Sequence, residues 1–169
     1  KKKILKICFL SANKNYKLIC EQIKKYKPQY FIIKNKLVFD KVKNKFRKNK
    51  TIILDDYTSK KIRKSDIIIS AIPGVEGLQP TLNVIKLTKK ILIANKESVI
   101  CGWKLLKKEA LRRKTKIIPI DSEHYSILKL IEKEKIEEIK KIYITASGGP
   151  FLNYKKNQFY KIKPKDTFK

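Results

Sequence analysis

The stretch KIIPIDSEH, residues 116–124, is a short apolar run that ends in two carboxylates, a hydroxyl and the only histidine of the chain. An apolar run of this length, rich in β-branched residues and bounded by polar ones, is typical of a buried strand. In open α/β sheets, ligands bind at the carboxyl ends of the strands. The polar residues after Ile120 are therefore the first candidates for a functional site.

The carboxylates of this stretch, Asp121 and Glu123, are two residues apart, so on an extended backbone their side chains leave on the same side. Two carboxylates this close repel one another, and one hard divalent cation bound through oxygen removes the repulsion. An acidic pair after a strand is also typical of a solvated turn or a helix cap, which spacing alone favours. The pair is a candidate metal site that needs support from the rest of the chain.

Upstream of this stretch, strand-like apolar runs alternate with segments of helical periodicity. Strands are predicted at 5–10, 30–33, 51–54, 66–72, 90–94 and 116–120. Helices are predicted between Asn15 and Pro28, over 38–46, and along the apolar stripes Leu78, Leu82, Ile85 and Val99, Trp103, Leu106, Ala110, with Ser98 as the N-cap of the last helix and Trp103 in the core. This alternation predicts an α/β fold with a parallel sheet built from right-handed crossovers.

After Asp121 the pattern changes. The lysine- and glutamate-rich segment 127–141 predicts a helix, and 141–145 predicts a strand that leads into Ala146–Phe151. The aromatic, lysine-rich tail from Leu152 onward permits no assignment. We therefore expect a sheet domain over residues 1–118 and the beginning of a second domain over residues 119–169.

Polar clusters follow three of the predicted strands. Besides residues 121–124, the segment 95–97 offers an amide, an ammonium and a carboxylate, and the segment 147–149 offers a hydroxyl and two unobstructed backbone N–H groups that could cradle a phosphate. Lys14 and Asn15, after the first strand, could hold a further anionic ligand. Residues 95–97 alone are equally typical of a surface turn, and the glycine turn and Lys14–Asn15 alone are more simply surface loops. The argument therefore depends on the repetition of such clusters at strand ends.

The charge of the chain points only weakly to a partner. Its 43 lysines and arginines against 15 aspartates and glutamates give a net charge of +28. A strongly basic balance suggests nucleic acid, an anionic membrane surface or phosphorylated ligands. Here the excess is nearly all lysine spread along the chain, which indicates compositional bias, and even the basic run 41–50 is more simply a solvated face. Nucleic acid is not the expected partner.

Two further features bear on the compartment. The three cysteines lack metal-site spacing, which predicts reduced thiols in a reducing compartment. No window approaches about 18 consecutive apolar residues, so no membrane association is expected.

The segments ANKES (94–98), PIDSEH (119–124) and ASGGPF (146–151), in this order and roughly this spacing, resemble 1-deoxy-D-xylulose 5-phosphate reductoisomerase. The segments 11–15, 22–28 and 71–80 are similar to the same family. The resemblance implies an oxidoreductase/isomerase that needs NADPH and a divalent metal. Such an enzyme rearranges 1-deoxy-D-xylulose 5-phosphate and reduces the resulting aldehyde to 2-C-methyl-D-erythritol 4-phosphate, in non-mevalonate isoprenoid biosynthesis.

The resemblance also implies an architecture and a setting. The fold would be a Rossmann-like parallel sheet without its first βα unit, followed by the start of an α+β catalytic domain. The full-length protein would be a cytoplasmic homodimer, or alternatively an enzyme of the plastid stroma.

The same resemblance assigns roles to individual positions. It makes Asp121 and Glu123 ligands of Mg²⁺ or Mn²⁺, and catalytic together with Lys96. The substrate-binding positions that it implies are Lys96, Ser122, Glu123 and Ser147. The NADPH-binding positions that it implies are Asn13, Lys14, Asn15, Asn95 and Glu97, although the family usually has a small residue or glycine where Asn13 stands. His124 would have a supporting role and would not ligate the metal.

The chain also departs from the family pattern. It has no Gly-x-Gly-x-x-Gly turn, begins at a lysine and contains no methionine. We therefore expect a fragment that lacks the glycine-rich turn, the third metal carboxylate and most of the catalytic and C-terminal domains, and that has no turnover by itself.

Three alternatives stay open at this point. The first is a metal-dependent sugar-phosphate isomerase or aldolase without a redox step, which bound NADPH would exclude. The second is a basic nucleic-acid-binding module, which would bind duplex DNA with a steep salt dependence. The third is a decayed relative whose reading frame no longer encodes a working enzyme.

Overall fold

A computed structural model of the chain describes residues 5–59, 61–144 and 148–167. It contains two compact units, Lys1–Tyr125 and Ser126–Lys169. The strands are β1 (Phe9–Ala12), β2 (Tyr30–Ile33), β3 (Ile52–Leu54), β4 (Ser65–Ser70), β5 (Thr88–Ile93) and β6 (Lys116–Pro119). The α-helices are α1 (Tyr16–Tyr26), α2 (Lys36–Lys45), α3 (Leu78–Ile85), α4 (Lys96–Arg113) and α5 (Ser122–Ile131). Short 3-10 turns occur at Val75–Gly77, Ile136–Glu138, Lys156–Lys161 and Pro164–Thr167.

The strands form two parallel sheets of three strands each, in the orders β1-β2-β3 and β4-β5-β6. Within each sheet, strands that follow one another in the chain pair with one another, and a helix connects each pair. The predicted α/β class and parallel arrangement are therefore confirmed. The structure differs from the single predicted sheet: the described residues between β3 and β4 form no helix, and among the described strands β4 pairs only with β5.

Both sheets contribute to one hydrophobic core. Ile32 from β2, Ile68 from β4 and Ile91 from β5 lie in the same buried cluster, together with Leu106 from α4. A second cluster packs α1 and α2 against the opposite face of β2, where Phe31 and Ile33 are fully buried. Because β2 is covered on both faces, its sequence is a continuous apolar run instead of an alternating one.

Three of the helices begin at an asparagine. The Oδ1 atoms of Asn15, Asn35 and Asn95 accept hydrogen bonds from backbone N–H groups three residues later, at 3.1, 3.1 and 2.8 Å. Each side chain thereby satisfies an N–H group that has no partner within the helix. The prediction that Ser98 caps α4 is wrong, since Asn95 holds that position and Ser98 lies buried in the first turn.

The buried row of α4 also differs from the predicted one. Its buried residues are Ser98, Gly102, Leu106 and Ala110, which recur every four residues along one helix face. The helix is kinked at Gly102, whose backbone is not helical. Trp103 follows that row by one position, is turned away from the core and is 46% exposed, so its predicted place in the core is wrong.

The C-terminal predictions succeeded only in part. In place of the helix predicted at 127–141, α5 ends at Ile131 and a 3-10 turn follows at Ile136–Glu138. Of the strand predicted at 141–145, residues 141–144 form no strand and residue 145 lies outside the described part. Within the described residues, no helix is both long and apolar enough to cross a membrane.

Candidate functional site

Two of the predicted polar clusters meet at the carboxyl ends of β5 and β6. These strands pair in parallel with Ile93 opposite Pro119, so the helices that follow them start side by side. Lys96 is the first residue of α4, and Glu123 lies in the first turn of α5. The Lys96 Nζ atom lies 3.1 Å from Oε1 of Glu123, although 27 residues separate them. The expected convergence at strand ends is thus observed for these two segments.

The Glu123 carboxylate has polar partners at both oxygens. Its Oε2 atom accepts a hydrogen bond of 2.8 Å from the Ser122 hydroxyl, while Oε1 faces the Lys96 ammonium. These partners favour the charged form. The Ser122 hydroxyl, the backbone N–H of Glu123 and the Lys96 ammonium lower the pKa of Glu123 to about 2. The same ion pair raises the pKa of Lys96 above its ordinary value.

Asp121 caps the N-terminus of α5. Its Oδ1 atom accepts a hydrogen bond of 3.0 Å from the backbone N–H of His124 and lies 2.7 Å from the imidazole Nδ1 of the same residue. Burial raises the pKa of Asp121, but the hydrogen bonds from His124 outweigh burial and bring the pKa below its ordinary value. The helix-cap interpretation of this residue is therefore correct.

The local backbone differs from the one assumed for a metal-binding pair. Because β6 ends at Pro119 and α5 begins at Ser122, Asp121 and Glu123 do not lie on an extended strand with their side chains on one face. They lie instead at the start of a helix, where the positive end of the helix dipole favours negative charge. The expected same-side geometry is thus replaced by a shared position at a helix N-terminus.

The donor set suits a hard divalent cation. The Lys96 ammonium interacts electrostatically with both Glu123 and Asp121, so the two carboxylates already share the field of one cation. Carboxylate oxygens are the ligands that Mg²⁺ and Mn²⁺ prefer. The described part of the chain contains no group of three or more metal-ligating side chains. These two residues would therefore supply part of a coordination shell.

Asn95 positions a loop beside this site. It is 3% exposed, and its amide donates hydrogen bonds to the backbone carbonyls of Ile72 and Gly74, the latter at 2.7 Å. Its carbonyl oxygen caps α4. Both amide hydrogens are therefore used within the protein, and Asn95 acts on the 72–74 loop; its predicted contact with a cofactor stays a prediction.

A cavity of about 590 Å³ opens at the carboxyl ends of β1 and β4. It is lined by Ser11, Ala12, Asn13, Lys34, Tyr57, Ala71, Ile72, Pro73, Glu76, Gln79, Pro80 and Asn83. Because the loop held by Asn95 forms one wall, and Asn95 immediately precedes Lys96, the cavity and the carboxylate site are structurally connected. This volume lies in the range of small-molecule sites.

Of the predicted cofactor residues, Asn13 is the one that lines this cavity. Lys14 is exposed next to Asn13 in sequence, whereas the side chain of Asn15 is used as the cap of α1. Glu97 is exposed in the first turn of α4. Ser147, the predicted phosphate ligand, lies outside the described residues.

Sequence reasoning missed Tyr57 in the cavity wall. Its ring is 5% exposed, and burial raises its pKa, partly offset by a hydrogen bond with the Ser11 side chain. Tyr57 lies in the connection between β3 and β4, where no periodic pattern marks a residue as buried. A lone aromatic residue in a polar connection was the only available signal.

Comparison with known proteins places this geometry in one family. The family profile described as 1-deoxy-D-xylulose 5-phosphate reductoisomerase matches residues 1–102, and the profile of its C-terminal domain matches residues 117–169. Proteins named 1-deoxy-D-xylulose 5-phosphate reductoisomerase are 45% identical to the chain in Pelagibacter ubique and 36% identical in Thermodesulfovibrio yellowstonii. The alignments cover 99% and 96% of this chain but 44% and 43% of those relatives.

Solved structures agree with the sequence comparison. The reductoisomerase of Zymomonas mobilis in complex with NADPH is 26% identical with a TM-score of 0.76, covering 95% of this chain and 43% of that protein. A DOX-P reductoisomerase in complex with NADPH, fosmidomycin and magnesium is also 26% identical, with a TM-score of 0.72 and the same coverage. The chain thus spans less than half the length of the proteins it matches.

Proposed function

This chain belongs to the 1-deoxy-D-xylulose 5-phosphate reductoisomerase family, and from that membership we propose that the protein carrying it converts 1-deoxy-D-xylulose 5-phosphate to 2-C-methyl-D-erythritol 4-phosphate. The proposed reaction consumes NADPH, requires a divalent cation and belongs to non-mevalonate isoprenoid biosynthesis. The observation that carries the proposal is the contact of 3.1 Å between Lys96 and Glu123. It joins two of the three segments on which the resemblance depends.

The carboxylates after β6 are the proposed metal ligands. Asp121 and Glu123 would hold Mg²⁺ or Mn²⁺, and the pKa of each carboxyl lies below its ordinary value, so both are charged at neutral pH. When bound, the cation supplies Lewis-acid polarisation of substrate oxygens. His124 holds Asp121 through its N–H and imidazole, which keeps that carboxylate oriented.

The residues around these ligands are the proposed substrate contacts. Lys96 offers an ammonium to an anionic substrate oxygen, and Ser122 offers a hydroxyl from the first turn of α5. Glu123 would contact substrate as well as metal. Ser147 remains the proposed phosphate ligand on the family resemblance.

The cavity at the ends of β1 and β4 is the proposed NADPH site. Its position agrees with the general rule that nucleotides bind outside the carboxyl ends of parallel strands. Asn13 lies in its wall, and the exposed Lys14, next to Asn13 in the sequence, would offer a positive charge to the phosphates of the cofactor. The related structure from Zymomonas mobilis is a complex with NADPH, which supports NADPH as the cofactor.

The setting of the enzyme is proposed from the family resemblance alone. We propose a homodimeric, cytoplasmic enzyme whose partner molecule is a small phosphorylated sugar. Gel filtration with light scattering on the protein that carries this chain tests the dimer, and a monomer at micromolar concentration would contradict it.

Turnover by the protein that carries this chain tests the proposed reaction. The loss of NADPH absorbance would be followed with 1-deoxy-D-xylulose 5-phosphate, with Mg²⁺ and after its chelation. Metal-dependent oxidation that Asp121→Asn abolishes supports the proposal. A folded protein that binds NADPH without oxidising it would point to an isomerase or aldolase, and absence of NADPH binding would overturn the cofactor assignment.

A further inference from the structure

The Lys96 ammonium occupies a position that is unusual for a substrate-binding group. It lies 3.1 Å from Oε1 of Glu123 and is 48% exposed, so this oxygen of a proposed metal ligand is already neutralised by a cation of the chain itself. The electrostatic influence of Asp121 and of Glu97 adds to that of Glu123 on the same ammonium. A positive side chain is therefore held among the carboxylates that a metal would need.

Lysine and a divalent cation cannot use the same carboxylate oxygen independently. If the metal binds Glu123 at Oε1, the cation and the ammonium compete for that oxygen, because two cations at one oxygen repel one another. The Lys96 side chain is long, flexible and half exposed, so water can solvate its ammonium when the ammonium leaves Glu123. Only molecules in which the ion pair is broken offer this oxygen to the metal. The apparent metal affinity is therefore the intrinsic affinity multiplied by the fraction of molecules without the ion pair.

We propose that Lys96 is the resident counter-ion of Glu123 and that a divalent cation enters the site by exchange with its ammonium. The inference rests on the proposed function, since it takes Asp121 and Glu123 as metal ligands. In the metal-free protein the ammonium holds Glu123 in place. The exchange then releases Lys96 towards the substrate only when the cation is present.

The test measures Mn²⁺ affinity and requires no turnover. Free Mn²⁺ is followed by electron paramagnetic resonance during titration of the full-length protein that carries this chain and of its Lys96→Met, Lys96→Arg and Lys104→Met variants. Lys104 is an exposed lysine of the same helix, about 12 Å further along it, so its variant matches the change in net charge. Asp121→Asn identifies the site. Circular dichroism at 222 nm shows that each variant is folded.

Competition makes a quantitative prediction. Lys96→Met binds Mn²⁺ about two- to sixfold more tightly than the unmodified chain, the range that competition from an exposed ion pair of ordinary strength produces. Lys96→Arg keeps the charge and stays close to the unmodified chain, and Lys104→Met changes affinity less than Lys96→Met does.

Each other outcome is decisive. Unchanged or weaker binding by Lys96→Met, with Asp121→Asn still abolishing binding, overturns the exchange and leaves the metal site of the proposed function intact. Equal tightening by Lys96→Met and Lys104→Met shows a general charge effect and also overturns the exchange. Binding that Asp121→Asn does not weaken overturns both the exchange and the proposed metal ligands.

Discussion

Asn95 is the residue whose replacement most sharply tests how the site is built. It caps α4 through Oδ1, and its amide holds the carbonyls of Ile72 and Gly74. Asn95→Ala removes the cap and both amide hydrogen bonds to the 72–74 loop, where the Gly74 carbonyl keeps only its weaker contacts, including a 3.2 Å hydrogen bond from the Gly77 N–H. The same change removes contacts that position the 72–74 wall of the cavity and the first turn of α4, which carries Lys96. Stability and ligand affinity should therefore fall together.

The magnitude follows from the separate contributions. Loss of an asparagine N-cap costs about 1 kcal/mol. Each lost hydrogen bond contributes about 0.5–1.5 kcal/mol, and more where a buried partner stays unsatisfied. Asn95→Ala should therefore lower the free energy of unfolding by about 2–4 kcal/mol.

The chain supplies matched controls. Asn15 and Asn35 cap α1 and α2 through the same contact, and their side chains form no hydrogen bond to a distant loop within the described residues. Alanine at either position should therefore cost about 1 kcal/mol. Asn95→Asp retains the cap oxygen but places oxygen instead of N–H against the two loop carbonyls. It should therefore destabilise the protein at least as much as Asn95→Ala does.

Urea unfolding followed by circular dichroism at 222 nm measures these differences. NADPH titration of the same variants, by cofactor fluorescence, reports on the cavity wall. Equal losses of stability for Asn95→Ala, Asn15→Ala and Asn35→Ala would refute the reasoning, because the loop contacts would then contribute nothing. Retention of full stability by Asn95→Asp would refute it as well.

Three further predictions concern packing, a buried hydroxyl and pH. A Cβ atom at Gly102 would lie 2.7 Å from Cδ2 of Leu78, so Gly102→Ala should lower the free energy of unfolding in urea by about 1–3 kcal/mol. Leu78→Ala in the same chain should relieve part of that cost, and a double variant whose loss equals the sum of the two single losses would contradict this. The buried Thr115 hydroxyl lies 2.8 and 3.0 Å from two backbone carbonyls. Thr115→Val should therefore lower the free energy of unfolding by about 1–3 kcal/mol, and Thr115→Ser, which keeps the hydroxyl, should lower it less. Equal losses in urea unfolding would show that packing of the methyl group is what matters. The pKa of Glu123 is about 2, below its ordinary value of 4.5, so its stabilising effect is complete above pH 4.5 and disappears as pH falls through 2. Carboxyl NMR titration should find this low pKa and a higher one in Lys96→Met, and an unchanged pKa in that variant would contradict the ion pair.

Sequence patterns predicted the parts of the fold that depend on continuous burial. The run 30–33 is β2 at the predicted bounds, because a strand covered on both faces is apolar throughout, and 116–120 is β6 to within one residue although β6 is only partly buried. The helix over Leu78–Ile85 also agrees with its stripe. The start of a helix that one capping side chain fixes was harder to predict from sequence. Asn95 and Ser98 are both residue types that favour the N-cap, so the sequence did not decide between them.

The site was predictable as a set of strand ends but not as a set of contacts. The pairing of Lys96 with Glu123 depends on the register of β5 and β6, which brings together residues 27 positions apart. Asp121 was predicted as a metal ligand on an extended backbone, yet its carboxylate accepts a hydrogen bond from the backbone of the helix that follows it. The inward orientation of Asn95 likewise depends on the 72–74 loop, which no local pattern encodes.

The identity of the product tests the central claim most directly. The protein that carries this chain would be incubated with ¹³C-labelled 1-deoxy-D-xylulose 5-phosphate, Mg²⁺ and NADPH, and carbon NMR would follow the label. We predict a branched 2-C-methyl-tetritol phosphate, formed mole for mole with oxidised NADPH and absent in Asp121→Asn. An unbranched product, or a rearranged one formed without NADPH consumption, would contradict the assignment of this site to a reductoisomerase.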